Sequence, residues 1–415
     1  MRTEMNDCDV VVVGAGLTGL RAALEITNAG LSVMVLDRND QVGGRMRTST
    51  VGGFQLDHGF QVILSAYPEL RRIPGLALSH WRPFFSGARV RAGDRFVDFM
   101  DPRRHPEFLF AMLRSPICSI GDLIRFFFLL VRSPRAAPNR EDQATVDLIQ
   151  GWSFTDPFRE KFLLPFLRGV LLDPTLRADA GMARFYLKMF GAGDALLPPF
   201  GIQELPQRLA ALVGQSHIRL GAQVKQISAR HVVLESGDTL HCDQVICATD
   251  TLSAAALGSP EQTMPHCGGT TLYFGARNPP YSEPILVLNG EGGPISIVAV
   301  PSNVQSQYAP AGRALISVLV LGEYARSSDE SLLEAVRKQL CEWYGVAPLD
   351  WEFLQRFDIP EALPSRPRMG IGWTERAGIL YTGDYLSYPS QNGALAAGRE
   401  VGEAVIAAFA SKTIA

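Results

Sequence analysis

Lysine is scarce in this chain. Five (Lys161, Lys188, Lys225, Lys338 and Lys412) stand among 415 residues, so 34 of the 39 basic side chains are arginine, and 42 acids set the net charge at −3. That balance offers no basic surface of the kind nucleic acid requires. Cysteine is sparse too: Cys8, Cys118, Cys242, Cys247, Cys267 and Cys341 are scattered without a CxxC, and His241 beside Cys242 completes no zinc pattern. Neither a disulfide framework, a redox dithiol nor a metal site is expected, which fits a reducing compartment. Long apolar runs are missing as well. Leu123–Val131, inside the apolar segment 117–131, contains Arg125 and is far too short to cross a bilayer. Met1 to Asp9 is short and polar, which predicts no signal peptide and a cytoplasmic protein.

What is present is a globular composition, 47% hydrophobic and 20% charged, over a length that predicts two lobes. The chain opens with a strand-like run, Asp9–Val13, that feeds into Gly14-Ala15-Gly16-Leu17-Thr18-Gly19. Leu17 to Ala29 then reads as a helix, and Leu31–Leu36 as a second strand ending at Asp37. In that setting Gly14 allows a tight turn, Gly16 lets backbone approach a pyrophosphate, and Gly19 packs helix on strand. The helix N-terminus offers free N–H groups and partial positive charge to phosphates. Asp37, eighteen residues after Gly19, stands where a carboxylate accepts hydrogen bonds from an adenosine ribose. No second G-x-G-x-x-G follows, and Gly191-Ala192-Gly193-Asp194 has no strand before it. Without a nicotinamide site, electrons are expected to come from an organic substrate.

The residues after Asp37 favour FAD over NAD. Arg38 is followed by Gly43-Gly44-Arg45, two glycines for close backbone approach and a fork for phosphate oxygens. This stretch resembles the FAD-binding segment of the flavin-containing amine oxidase superfamily, which includes monoamine oxidases, protoporphyrinogen oxidases and phytoene desaturases. Asp57-His58-Gly59-Phe60-Gln61 is similar to its following Asp-x-Gly element. Near the other end, Ile379–Thr382 reads as a strand ending in Gly383-Asp384, and Ser390-Gln391-Asn392-Gly393-Ala394 opens a helix running towards Ala410. The resemblance implies that Asp384 serves the flavin's ribityl chain, that Val224 contacts the adenine, and that the strand ending near Ala248 and Thr249 returns to the cofactor. The dipole of the last helix would face the N1/C2=O edge of the flavin ring. His58 reads as a packed or hydrogen-bonded neighbour of the cofactor and not as a base. No Cys or His lies between residues 342 and 415, so the FAD is expected to be non-covalent. The Trp-x-Gly-Tyr pattern of covalent amine oxidases is missing, and Tyr381, Tyr385 and Tyr388 read as packing residues. No catalytic side chain is identified.

The implied fold is α/β: a Rossmann-type, GR2-like FAD-binding lobe with a second α+β substrate lobe, discontinuous in sequence. Residues 1–77, 201–265 and 365–415 are expected in the first lobe, 78–200 (mostly helical) and 266–364 (sheet plus helix) in the second. A hairpin is expected at Ala88–Arg91 and Arg95–Asp98, and strands at Thr271–Phe274, Ile285–Leu288, Ile295–Val300 and Ala314–Leu321, with a helix from Glu330 to Tyr344. The segment 117–131 has two readings: a buried helix lining the substrate lobe, which is favoured, or an amphipathic helix on a membrane surface with Arg114, Arg125 and Arg132 among headgroups.

Within the superfamily, Ala66-Tyr67-Pro68-Glu69 and Phe162–Val170 resemble the phytoene desaturase and protoporphyrinogen oxidase-like subgroup. The expected activity is dehydrogenation of a lipophilic small molecule at a C–C or C–N bond by hydride transfer to flavin N5, with oxygen or a quinone as acceptor. Strict amine oxidation to imine and hydrogen peroxide is the alternative; a non-redox flavin-dependent isomerase is a further one.

Overall fold

The structure, a computed structural model, describes residues 7–132, 143–261, 264–365 and 370–414. Along the chain, β1 (Val10–Val13) leads through the glycine turn into α1 (Leu17–Asn28) and β2 (Val33–Leu36), as the pattern predicts. A ribbon of β3 (Thr48–Val51) and β4 (Phe54–Asp57) follows, then the hairpin β5 (Gly87–Ala92) and β6 (Arg95–Met100). Next come α2 (Leu109–Leu113), α3 (Ile120–Arg132), α4 (Leu164–Leu171), α5 (Ala180–Ala192) and α6 (Glu204–Val213). The chain returns through β7 (Ile218–Arg219), a meander of β8 (Val224–Ile227), β9 (His231–Leu234) and β10 (Thr239–His241), and β11 (Gln244–Cys247). A second excursion contains β12 (His266–Ala276), β13 (Val287–Asn289), β14 (Ile295–Ala299), β15 (Ala314–Val320), α7 (Asp329–Tyr344) and β16 (Glu352–Pro364). The last pieces are β17 (Trp373–Arg376), β18 (Ile379–Thr382) and α8 (Gln391–Ile414).

Two sheets organise these elements. The nucleotide-binding lobe carries a six-stranded sheet ordered β7-β2-β1-β11-β18-β17, parallel except for the antiparallel edge strand β17. Its strands β1 and β11 are continuous apolar runs, Val10 to Val13 and Val245 to Cys247, and these residues are buried. A parallel strand covered on both faces needs that composition. From β1 the chain winds outward to β2 on one side, and β11 and β18 lie on the other. Such a reversal opens a crevice at the carboxyl ends of the strands. The substrate lobe is built on a seven-stranded sheet, β16-β12-β15-β14-β13-β5-β6, antiparallel apart from the β13–β5 pair. Its Phe-rich helices α3, α4 and α5 share a core with β5 and β6, where Phe99, Phe126, Phe158 and Phe162 meet ring to ring. Edge-to-face and tilted pairs of this kind add to area burial.

Helices α1 and α8 lie against each other so closely that side chains would not fit at two positions. A Cβ on Gly402 would come 2.8 Å from Glu25 Cβ, and one on Gly398 would overlap the Thr18 carbonyl oxygen. This crossing joins the first and last cofactor segments of the sequence.

The segment 117–131 is neither simply buried nor simply superficial. In α3, Phe126 is buried, Leu123 is half-buried, and Ile120, Ile124, Phe128 and Val131 are exposed. The favoured buried reading therefore holds for one face alone; the Arg132 side chain lies outside the described residues. Among the described residues no helix is long and apolar enough to cross a membrane.

Candidate functional site

A cleft of about 710 Å³ opens where the four parallel strands β1, β2, β11 and β18 end, at Val13-Gly14, Leu36-Asp37, Ala248-Thr249 and Gly383-Asp384. The size is in the range of small-molecule and cofactor sites. Gly14 makes the turn out of β1 with φ at +107°, and a Cβ there would sit 2.7 Å from the Ala248 carbonyl oxygen. Backbone therefore passes backbone at the floor of the cleft. Gly16 is different: no protein atom lies within 4 Å of the place a Cβ would take, because that direction is the open cleft. Gly43 and Gly44 form the opposing lip, with the Gly43 amide donating to the Ala15 carbonyl at 2.8 Å.

Two helix N-termini point into this space. Leu17 and Thr18 of α1 line it, as do Ser390, Gln391 and Ala394 at the start of α8. Ser390 caps α8, its Oγ accepting from the Gly393 amide at 3.0 Å. Near the first helix, Asp37 Oδ2 accepts from the Ala15 amide at 2.7 Å and Oδ1 from the Asn39 amide at 2.9 Å. A carboxylate has about four acceptor sites, so capacity for a ligand hydroxyl remains. Arg38, Val224, Lys225 and Glu235 share this part of the wall with Asp37.

At the other part stand Arg45, His58, Gln61, Asp384 and Gln391. Arg45 Nη2 donates to Asp384 Oδ1 at 2.6 Å and Nη1 to the Ala362 carbonyl at 2.7 Å. Burial works against the charge of Arg45, but Asp384 outweighs it and raises the guanidinium pKa. His58 Nε2 is in hydrogen-bond contact with Ser49 Oγ at 2.7 Å, and its ring stacks on Phe357 at 4.5 Å. Burial, with Arg47 adding, holds this imidazole below its usual range, which favours the neutral form. Gln391 donates from Nε2 to the Val62 carbonyl at 3.2 Å, while its buried Oε1 has no partner within the protein. A polar ligand with an N–H donor suits that atom. Helix termini, glycine edges, arginines, the ribose-type acid and this orphaned acceptor together fit a flavin dinucleotide.

Several residues expected at the site stand behind its wall. Asp57 turns away: Oδ1 accepts from the Ile202 amide at 2.9 Å and Thr48 Oγ1 at 2.7 Å, and Oδ2 accepts from the Tyr308 hydroxyl at 2.8 Å. Its own carbonyl accepts from Tyr273 at 2.9 Å, so this residue ties the ribbon to the substrate lobe and does not line the cleft. Asn392 Oδ1 likewise accepts from the Glu69 amide at 3.1 Å, fixing the Tyr67–Glu69 turn to α8. Gly19 and Gly393 are packing positions, where a Cβ would overlap the carbonyl oxygens of Gly14 and Tyr388. A Cβ on Gly59 would meet Ile359 at 3.3 Å, and the Phe60 ring meets Phe84 edge-on at 5.9 Å. Ala15 is buried and acts through the amide that orients Asp37.

The sequence reading overlooked other wall residues. Ser390 and Gln391 were read only as the start of the last helix and not as site residues, although a capping residue directly before an apolar helix is a usable signal. Ile359 and Ala362 come from β16, an edge strand that shows no alternation of buried and exposed residues to announce it. Tyr381 and Tyr385 are buried, with the Tyr381 hydroxyl donating to the Leu257 carbonyl at 3.0 Å, and Tyr388 stacks on Phe185 at 5.3 Å. Among the described residues no group of three or more His, Cys, Asp or Glu is placed to hold a metal.

A second cavity, of about 100 Å³, lies in the substrate lobe between the β5–β6 hairpin and α2, α3, α4 and α5. Its wall is almost wholly apolar, with Phe99, Met112, Phe126, Phe162, Phe166 and Phe190 prominent. The one carboxylate on it, Asp101, is held by Arg103. Phe84 lines this cavity, touches Phe60, and so stands one ring from Gln61 in the cofactor cleft.

Residues 17–406 match the family model described as flavin containing amine oxidoreductase. The chain belongs to that family. It is 24% identical over 318 residues to the 4,4'-diapolycopene oxygenase of a Methylomonas species, covering 64% of this chain and 62% of that protein. It is 52% identical over 54 residues to the phytoene dehydrogenase of Streptomyces griseus, covering 13% of this chain and 11% of the relative. The chain thus spans less than two thirds of either relative. Putrescine oxidase with putrescine bound superposes with a TM-score of 0.73 at 16% identity, over 96% of this chain and 99% of that one, which shows a shared fold.

Proposed function

We propose that this oxidoreductase dehydrogenates a lipophilic small molecule, removing the elements of a hydride and a proton to leave a C=C or C=N bond. When bound, FAD would supply two-electron acceptor chemistry, with dioxygen (reduced to hydrogen peroxide) or a quinone as the final oxidant. The residues that would hold it are Gly14, Gly16, Leu17 and Thr18 with Gly44 at the phosphates, Asp37 and Val224 at the adenosine, and Arg45, Asp384 and Gln391 towards the ring. The protein's task is to position the reacting carbon and exclude water.

The observation that carries the lipophilic reading is the aromatic-lined cavity next to the cofactor cleft, whose single acid is already paired. A diamine would need an unpaired carboxylate there, whereas an apolar chain needs only the rings. The names of the two curated relatives, both concerned with carotenoids, support the same reading. The family description and the fold shared with putrescine oxidase favour amine oxidation as the second reading. Peripheral contact with a membrane through the 117–131 segment belongs to the first.

The test is anaerobic mixing of the holoprotein with linear polyenes, porphyrinogens and hydrophobic amines, watching the visible flavin band. Bleaching by polyenes or porphyrinogens supports dehydrogenation of a lipophilic substrate. Bleaching confined to small hydrophilic amines sinks it.

A further inference from the structure

Charged side chains gather where α1, α8 and the short turn Leu70–Arg72 meet: Glu25, Glu69, Glu400 and Glu403 with Arg21, Arg72 and Arg399. None of the seven lines the cofactor cleft. Glu69 is the hub. Its side chain is 5% exposed, and its carboxylate accepts from Arg399 Nε at 3.1 Å and from Arg72 Nη1 at 3.1 Å. Its own amide donates to Asn392 Oδ1 at 3.1 Å. Asn392 and Arg399 stand seven residues apart, two turns of helix, so they share one face of α8 and Glu69 grips that face at two heights.

Another face of α8 lies on α1 through Gly398 and Gly402. Arg21 of α1 pairs with Glu25 at 2.6 Å and donates from both Nη atoms to the Arg72 carbonyl at 3.4 Å. The two helices and the turn are thereby held as one block. A buried ion pair adds little net stability, because desolvation offsets most of its attraction; what it can supply is one defined arrangement. Here that arrangement sets how far α8 reaches. Ser390, Gln391 and Ala394 at its start line the cleft, and a slip of one residue along a helix axis is about 1.5 Å. The positive end of a helix dipole acts within about one turn, so a slip of that size changes the field at the cleft wall. Reduced flavin bears negative charge at its N1/C2=O edge that oxidised flavin lacks, and a helix start favours such charge.

We propose that Glu69 is a positioning residue: by holding Asn392 and Arg399 it fixes the start of α8 against the flavin ring and so raises the reduction potential of bound FAD. The inference goes beyond the dehydrogenation reading and needs no particular substrate. It rests on the ring lying at the start of α8.

The test is the two-electron potential of the flavin-loaded protein, read by equilibration with a reference dye in the absence of oxygen. That potential reports the ratio of affinities for reduced and oxidised FAD. Glu69→Gln keeps the shape and the amide bond to Asn392 but weakens the grip on Arg399; Asn392→Ala removes the other tether without a change of charge. Each is expected to lower the ratio about three- to tenfold, a fall of about 15–30 mV. The sign separates positioning from plain electrostatics, since deleting an anion would by itself ease reduction. Asn392→Ala decides alone should Glu69→Gln fail to fold. A potential that stays or rises in Glu69→Gln overturns the proposal, as does one unchanged in Asn392→Ala. Flavin lost equally in both redox forms counts the same way, and a lowered melting temperature at wild-type potential leaves Glu69 a structural role only. Ser390→Asp keeps the helix cap while adding an anion at the cleft wall, and is expected to lower the potential whatever Glu69 does. Wild-type potential in that variant overturns the placement of the ring at α8; a fall there with none in the other two strikes Glu69 alone.

Discussion

Arg45 donates to Asp384 at 2.6 Å although 339 residues separate them in sequence. One belongs to the Gly-Gly-Arg turn and the other to the Gly-Asp that ends β18, so the two cofactor segments are joined by a charge-assisted bond inside the cleft itself. Asp384 is buried while Arg45 is 41% exposed to the cleft, which makes the acid the fixed partner that aims the arginine. Charge-assisted hydrogen bonds to a buried group are worth roughly 1.5–3 kcal/mol, a factor of about 10–100 in affinity. Asp384→Asn is therefore expected to lower FAD affinity by that factor, measured by titrating apoprotein and following flavin fluorescence. Arg45→Lys keeps the charge but loses the fork, and should fall on the same side. Unchanged affinity in both variants would show that the pair plays no part in holding the cofactor.

Two glycines two residues apart, Gly14 and Gly16, should respond to alanine in opposite ways. Gly14→Ala drives a Cβ to 2.7 Å from the Ala248 oxygen at a φ of +107°, so it strains the fold itself. A loss of about 1–3 kcal/mol in apoprotein stability is expected from such a backbone. Gly16→Ala meets no protein atom within 4 Å. Its apoprotein should stay within about 1 kcal/mol of wild type, as a change at a helix cap allows, while FAD affinity drops. Thermal melts of the apoproteins paired with flavin titrations separate the two; equal losses of apoprotein stability would contradict this division.

Much of this site could be read in the sequence because its parts are local. Gly14 and Gly383-Asp384 each sit at the end of a strand whose composition announces it, Gly43 to Arg45 lies in the turn between β2 and β3, and a turn that approaches phosphate admits few residue types. What was not legible depends on partners distant in sequence. Asp57 sits in a cofactor-like motif, yet its acceptors are filled by Thr48, Ile202 and Tyr308. Asn392 is likewise taken by Glu69. β16 escaped notice because an edge strand with mixed exposure has no period of two. For α3, periodicity shows an apolar face but says nothing of whether protein or lipid covers it.

The attachment of the flavin gives a simple check. Cys341 is the last cysteine and no histidine follows it, so the α8 segment offers no nucleophile to the ring. His58, which does line the cleft, has Nε2 engaged by Ser49 and its ring stacked on Phe357. Precipitating the yellow protein with acid is expected to release all the colour as free FAD into the supernatant. Colour that stays with the pellet would mean a covalent bond and would redirect attention to His58.

Asp57 couples the joint between the lobes to pH. Burial pushes its carboxyl up to about 6 from an ordinary 3.8, against the opposing hydrogen bonds from Ile202, Thr48 and Tyr308. Between those two values the folded chain holds a proton that the unfolded chain has released. The stabilisation this supplies is fully present below the unfolded value and is lost as pH rises through the folded one. A gap of this size amounts to about 3 kcal/mol for a group that is 1% exposed. Asp57→Asn keeps the shape of the protonated acid, with Nδ2 able to donate to the Tyr308 oxygen, and removes the titration. The variant should match wild type at about pH 4 and gain on it steadily towards about pH 7, read as the difference between urea unfolding curves. Curves that stay parallel across that range would mean that Asp57 ionises without cost, and the joint would then not be the place where pH acts on this fold.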